Sequence, residues 1–215
     1  MFYTEKHNLP GIILWLDFAT AFDSISWDFV FIALRYFNFG EDLIKWVKLF
    51  YKNIESCVVI NGHLSEWFSV QRGCRQGDPL SPYLFIIGAE ILALMLKHNP
   101  NITGIKCNNN EFMLTQYDDD TSVLLDGSEQ SLRSTFYVLT FYADVSRLCL
   151  NVDKTKAIWI GSLKGSIAVL CPDLNVTWEN ETFNLLGVTF SLNLADMVDL
   201  NYSKQIEHIE SLFKC

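Results

Sequence analysis

Residues 11–27 read GIILWLDFATAFDSISW, and the fold turns on them. Gly11 to Leu16 form an unbroken apolar run that stops at Asp17, as expected of a short strand buried on both faces. Val30, Ala33, Leu34 and Phe37 then recur at helical spacing, and after the breaker Gly40 so do Leu43, Trp46, Val47 and Phe50, which predicts two amphipathic helices. Residues 56–72, SCVVINGHLSEWFSVQR, place two β-rich runs around Asn61-Gly62, a strong hairpin signal. The loop 73–80, GCRQGDPL, leads to Ser81-Pro82, where the serine is expected to cap and the proline to open a helix running to about Lys97. That helix is apolar nearly all round, which predicts a place inside the fold. Glu90 in its middle and its length argue against a membrane span, which needs about 20 residues.

Outward from there, a second hairpin is predicted from about Glu111 to Leu125, with QYDDDT (116–121) at its bend and the acids at its tip. Leu132, Phe136, Leu139 and Ala143 mark another amphipathic helix with Ser128 as its cap, and KAIWIG (156–161) reads as a strand. Short β-like runs, VTW and LLGVTF, precede a polar helix from about Asp196. Strands and helices mixed with hairpins predict an α+β fold, an antiparallel sheet with helices packed on one face.

The chain has 215 residues, 25 acidic and 16 basic side chains and a net charge of −9; half its residues are hydrophobic. This excludes a disordered tail and a basic nucleic-acid clamp. The length suits one large or two small domains, and with no Pro/Gly-rich linker a single unit is expected to about residue 190. Six cysteines, without a CxxC or Cys/His cluster, signal neither a zinc site nor a disulfide framework. The first residues lack a basic stretch ahead of the apolar run, so no signal peptide is expected, and an intracellular protein, nuclear or cytoplasmic, is.

Asp17 closes a buried strand, and Asp118, Asp119 and Asp120 sit at a hairpin tip that could pair beside it. Carboxylates about 5 Å apart repel by about 3 kcal/mol per pair at an effective dielectric of about 20, so a cation is required among them. Hard divalent ions such as Mg²⁺ take carboxylate oxygens, and two such ions form a clamp for in-line phosphoryl displacement. Aspartates also simply make good turns, and that plainer reading stands beside this one.

LDFATAFDSISW (16–27), GCRQGDPLSPYLF (73–85), QYDDDT, LNVDKTKAIWIG (150–161) and FNLLGVTF (183–190) occur in the order and approximate spacing of the palm motifs of reverse transcriptases. The match resembles most the LINE-type, non-LTR retrotransposon polymerases and covers residues 11–190. It implies a polymerase palm-like fold over 1–190, with fingers and thumb largely missing and a connection or thumb helix beginning at 191–215. The implied activity is RNA-directed DNA polymerisation, with an RNA template, a DNA primer, a dNTP and two Mg²⁺ ions, Mn²⁺ being possible.

The resemblance implies metal ligation by Asp17, Asp119 and Asp120, and a backbone carbonyl of Phe18 that helps hold the second metal. Phe22 matches the bulky residue beneath the sugar, where a ring excludes a 2′-hydroxyl; plain core packing is its other reading. Asp23 either belongs to this motif or caps the next helix. Gln76 and Gly77 match the loop against the incoming nucleotide and template base, and Arg75 either meets a phosphate or is solvated. Pro79, Ser81 and Pro82 read as structural. Tyr117 would support the hairpin near the primer end, and Lys154 matches the lysine proposed to protonate pyrophosphate, with Lys156 as competitor.

Three departures qualify the match. Asp118 stands where the family usually has alanine, methionine or valine, which predicts lowered activity. Arg147 and Cys149 in SRLCLN stand where it tends to have glycine and lysine, so a left-handed turn is strained. Only Lys6 and His7 are candidates for the basic fingers residues, and a net charge of −9 implies weak nucleic-acid binding, since that affinity comes largely from phosphate neutralisation. A palm fragment or decayed copy, inactive alone, is therefore expected. The alternatives are a non-catalytic scaffold binding RNA or protein, and a metal-dependent phosphodiesterase or nuclease using the same carboxylates.

Overall fold

The apolar run forms β1 (Pro10–Leu16), which follows a short helix, α1 (Phe2–Lys6). In the computed structural model, which describes residues 2–117, 120–185, 188–193 and 196–213, every β1 residue after Pro10 is buried. The chain continues through a single turn, α2 (Ala21–Ser24), into α3 (Trp27–Tyr36) and α4 (Glu41–Phe50). Four two-residue strands follow: β2 (Glu55–Ser56), β3 (Val59–Ile60), β4 (His63–Leu64) and β5 (Phe68–Ser69), with β2 pairing β5 and β3 pairing β4. The inner turn is Asn61-Gly62 with φ of 51° and 81°, the conformation that pairs with the right-handed strand twist.

Next come α5 (Ser81–Lys97), the small hairpin β6 (Ile105–Cys107) and β7 (Asn110–Phe112), and the longer one, β8 (Leu114–Tyr117) and β9 (Asp120–Leu125). The second half holds α6 (Glu129–Ser146), β10 (Lys156–Gly161), β11 (Thr177–Glu179) and the hairpin of β12 (Thr182–Leu185) and β13 (Val188–Ser191). It ends in α7 (Asp196–Val198), a π-helical turn and α8 (Lys204–Leu212). The Asn201 side chain fixes this last segment to β13, accepting from Thr189 N and donating to Thr189 O, both at 2.7 Å.

The main sheet has the order β11-β10-β1-β9-β8, antiparallel except for β10 with β11. Alternate residues of β1 enter two cores. Ile12, Leu14 and Leu16 pack with Val123, Leu125 and Trp159 against the helices, among them Phe85, Leu92, Leu132 and Tyr142. Ile13 and Trp15 face the other way and meet Ile105, Ile158, Phe183 and Leu192, with the Phe183 ring 3.8 Å from that of Trp15. The fold is thus the expected α+β sheet with helices on one face, and the β12–β13 hairpin fills the inner part of the other. No described helix is long and apolar enough to cross a membrane.

Four details correct the sequence reading. Helix α5 is not fully interior: Tyr83 and Ile86 are exposed, because α3 and α6 cover only part of its circumference. On α4 the buried residues are Ile44 and Val47, while Leu43, Trp46 and Phe50 are exposed. Ser81 does not cap α5 but is its first residue, with its hydroxyl buried 3.5 Å from Tyr51 Oη; the loop's Asx bond is made by Asp78 Oδ1, which accepts from Leu80 N at 3.0 Å. The second hairpin begins at Leu114 rather than Glu111, since residues 110–112 pair with β6. Ser128 caps α6 as expected, accepting from Ser131 N at 3.2 Å.

Candidate nucleotidyl-transfer site

Asp17 lies where β1 leaves the ladder. Its carbonyl accepts from Asn151 N at 2.7 Å, and Ala19 N donates to Cys149 O at 2.9 Å, so Phe18 bridges Leu150. With its neighbours' groups turned toward that segment, Phe18 turns its own N–H and C=O to the opposite side, that of β9. Asn151 also bends the chain after it. Its carbonyl accepts from Lys154 N (3.2 Å), Thr155 N (3.0 Å) and Thr155 Oγ1 (2.8 Å), which makes NVDKT a tight turn. That turn brings Lys154 Nζ to 4.0 Å from Asp17 Oδ2. Lys156, by contrast, is held by Glu179 Oε1 at 2.5 Å. The two candidate lysines therefore have different surroundings, and Lys154 is the one beside Asp17.

The ladder of β1 with β9 ends at Leu16↔Thr121, and that of β8 with β9 ends at Tyr117↔Asp120. Asp17 and Asp120 are the next residues of the two chains past the first of these ladder ends, so continuing that register would set one opposite the other. Facing residues of an antiparallel pair share a side, so both carboxylates belong to the sheet face of Ile13 and Trp15, away from the helices. Tyr117 is exposed opposite Asp120. Asp118 and Asp119 lie outside the described residues; among those described, no group of three or more His, Cys, Asp or Glu converges. Carboxylates at adjacent strand ends, with an ammonium beside Asp17, are a hard oxygen donor set, which suits a divalent cation.

The ring of Phe22 is half-buried and stacks on Phe85, with centroids 4.5 Å apart and planes at 18°. It is held by a junction that composition does not reveal. Cys74 N donates to Phe22 O at 2.6 Å, Gly73 N to Ile25 O at 2.8 Å, and Trp27 Nε1 to Gly73 O at 2.8 Å. Gly73 has a φ of 89°, and a Cβ there would lie 2.7 Å from the carbonyl oxygen of Asp23. Gln76 and Gly77 follow on the exposed loop; Gly77 also has a positive φ, 87°, with open space around it. Beneath the loop, burial pushes the Cys74 thiol up to about 11 and the Tyr51 hydroxyl up to about 12, so this floor is uncharged at neutral pH.

Other expected residues are placed elsewhere. Asp23 does not cap α3; Ser26 does, accepting from Phe29 N at 3.5 Å, and Asp23 is exposed. Arg75 folds back, with Nη2 3.4 Å from Phe50 O and 3.9 Å from Asp78 Oδ2. Lys6 and His7 lie before the start of β1, about 20 Å of strand from Asp17, and so do not serve this end of the sheet. The residues missed by sequence reasoning are Gly73, Trp27 and Asn151. The only signal for the first was a glycine opening GCRQGDP.

Residues 3–190 match the family described as "Reverse transcriptase (RNA-dependent DNA polymerase)". The chain is 27% identical over 190 residues to the "Transposon TX1 uncharacterized 149 kDa protein" of Xenopus laevis, covering 88% of this chain and 14% of that protein. It is 29% identical over 169 residues to the "Retrovirus-related Pol polyprotein from type-2 retrotransposable element R2DM" of Drosophila melanogaster, covering 78% and 16%. The chain thus spans about a seventh of the length of these relatives, one named for a transposon and the other for a retrotransposable element, in line with the LINE-type resemblance. Two solved structures share its fold. Apo telomerase of Candida tropicalis has a TM-score of 0.56 at 13% identity, covering 86% of this chain and 34% of that one. The same enzyme with a TWJ fragment of telomeric RNA has a TM-score of 0.60 at 10% identity, covering 89% and 31%.

Proposed function

This chain belongs to the reverse transcriptase (RNA-dependent DNA polymerase) family, and from that premise we propose that it carries the nucleotidyl-transfer site of a retrotransposon polymerase palm. The observation that best supports this is the β1–β9 ladder ending at Leu16↔Thr121, which leaves Asp17 and Asp120 next on adjacent strands, while Lys154 stands 4.0 Å from Asp17. The substrates are an RNA template, a DNA primer and a dNTP. Asp17, Asp119 and Asp120 would hold two Mg²⁺ ions, or Mn²⁺, and the chemistry these would supply is a lowered pKa at the primer 3′-hydroxyl and stabilised charge on the departing pyrophosphate.

The chain's own residues supply the rest. The Phe18 carbonyl, turned toward β9, adds an oxygen donor. Phe22, stacked on Phe85 and tied to Cys74, presents a fixed ring against the sugar, so a 2′-hydroxyl meets carbon that cannot retreat. Gln76 and Gly77 lie against the base and template from the loop that Gly73 anchors. Tyr117 supports the primer end of the hairpin, and Lys154 holds a proton for the leaving pyrophosphate. Positioning and electrostatics carry most of such a reaction. Sequence is read by base pairing, so the protein need contact only backbone and shape.

A net charge of −9 supports weak nucleic-acid binding by these 215 residues on their own, and poor primer extension by them alone. The test is thermal unfolding of the protein with and without Mg²⁺ or Mn²⁺, beside Asp17→Asn. A metal-linked rise in Tm in the native protein that is lost in the variant is expected. No rise in the native protein would favour a scaffold that binds without catalysis. Metal-dependent cleavage of labelled RNA or DNA, with no extension of an annealed primer, would favour a nuclease.

A further inference from the structure

Resting on that reading of the carboxylates, we propose that Lys154 is a place-holder cation. Its ammonium neutralises Asp17 before a divalent ion arrives, and it is expelled toward the triphosphate side when the ion takes its place. Metal entry and delivery of the lysine then become one event rather than two.

Three observations carry this. First, the lysine's base cannot drift from the aspartate. Asn151 donates its N–H to Asp17 O at 2.7 Å, and its carbonyl gathers Lys154 N, Thr155 N and Thr155 Oγ1 at 3.2, 3.0 and 2.8 Å. The backbones of Asp17 and Lys154 are therefore one rigid assembly, and Thr155 is fully buried within it. Second, the side chain above that base is loose: it is 70% exposed, its Nζ is 4.0 Å from Asp17 Oδ2, and its flexible stem can swing without moving the turn. Third, Lys156, two residues on, cannot substitute, because Glu179 Oε1 holds it at 2.5 Å.

A doubly charged ion at Asp17 attracts the carboxylate more strongly than an ammonium does, and it repels that ammonium. The two cations thus compete for one anion, and by linkage the competition is reciprocal: whatever the lysine does for metal-free Asp17 must be undone when metal binds. A lysine simply solvated, with no charge interaction at Asp17, would leave metal affinity unaltered on removal, and one that stayed beside Asp17 when the ion binds would show no metal-dependent change in its own resonance.

The test is calorimetric titration of Mn²⁺ into the 215-residue protein, Lys154→Met and Lys156→Met. Methionine keeps the apolar stem and removes the charge at a site exposed enough to tolerate it. Lys154→Met is expected to bind Mn²⁺ about two- to fivefold more tightly, the range an exposed ion pair spans, with the gain shrinking in high salt. Lys156→Met should match the native protein. In a ¹³C-lysine-labelled sample, the Lys154 side-chain resonance should shift on addition of Mg²⁺ and saturate with the binding isotherm. Equal or weaker binding by Lys154→Met would overturn the place-holder while leaving the metal site standing. Absence of Mn²⁺ binding in both the native protein and Lys154→Met would overturn the metal site and the inference with it.

Discussion

Gly73→Ala should cost far more than Gly77→Ala, although both glycines lie in one loop with nearly the same φ, 89° and 87°. A side chain at either position carries the left-handed penalty of about 1–2 kcal/mol. At Gly77 nothing lies within 4 Å of the added Cβ, so the cost ends there. At Gly73 the Cβ would lie 2.7, 2.9 and 3.0 Å from the O, C and Cα of Asp23, which are backbone atoms without a rotamer to escape into. The segment must shift, and the bonds Gly73 N to Ile25 O and Cys74 N to Phe22 O, at 2.8 and 2.6 Å, shift with it. Losing both adds about 2 kcal/mol at about 1 kcal/mol each, for a total of about 3–4 kcal/mol. Urea unfolding followed by far-UV circular dichroism measures both variants, and tryptophan fluorescence adds a local probe because Trp27 donates to Gly73 O. Equal losses in the two variants would refute the argument that this glycine is required by the close approach rather than by its torsion angle.

Arg147 ends α6 at a φ of 67°, so Arg147→Gly should raise stability by about 0.5–1 kcal/mol, read as a higher Tm; an unchanged or lower Tm would show that the left-handed cap is not strained. Burial raises the Cys74 pKa from 9.0 to about 11, so the fold favours the neutral thiol. That contribution is fully present below pH 9 and is lost as pH rises through 11. At pH 8, iodoacetamide should therefore modify exposed Cys149 and spare Cys74, as mass spectrometry of digests would report; equal labelling would contradict the burial. Asp118→Ala should raise primer extension in a reconstituted enzyme by removing charge beside phosphates, and equal rates in both forms would show the acid to be harmless.

Much of the scaffold was legible because its signals are local. The run GIILWL is apolar without a break because β1 has a core on each face, and Asn61-Gly62 makes its turn from its own torsions. Ser128 caps because its acceptor role needs only Ser131 N, three residues on. Where the sequence misled, the deciding partner was distant. Ser81 looked like a cap, but Tyr51, 30 residues earlier, shares its buried hydroxyl, and Asp78 makes the loop bond. On α4, periodicity marks Leu43, Trp46, Val47 and Phe50 as one apolar stripe, yet it cannot tell which side a neighbour covers; of these only Val47 is buried, together with Ile44, while α3 packs against the helix.

The candidate site divides the same way. Asp17 was marked by the sequence itself, as the acid that ends an apolar run, while Phe22, Gln76 and Lys154 were marked by the resemblance of their motifs to those of reverse transcriptases. Asn151 and Gly73 act through their own backbone groups, and Trp27 through its indole N–H on a backbone carbonyl, across 46 to 134 positions, and the backbone partners of such bonds leave almost no compositional trace. The lysine pair shows the difference most sharply. Two lysines separated by one residue would lie on the same side of a strand and be interchangeable by period. They are not, because the Asn151 carbonyl ends a turn at Thr155 and β10 begins only at Lys156. Lys154 thus rides on the turn tied to Asp17, while Lys156 enters the sheet and meets Glu179 of β11. What selects the lysine is therefore the position at which a turn becomes a strand, and that position is set by one buried threonine bonding back to the residue that holds the aspartate.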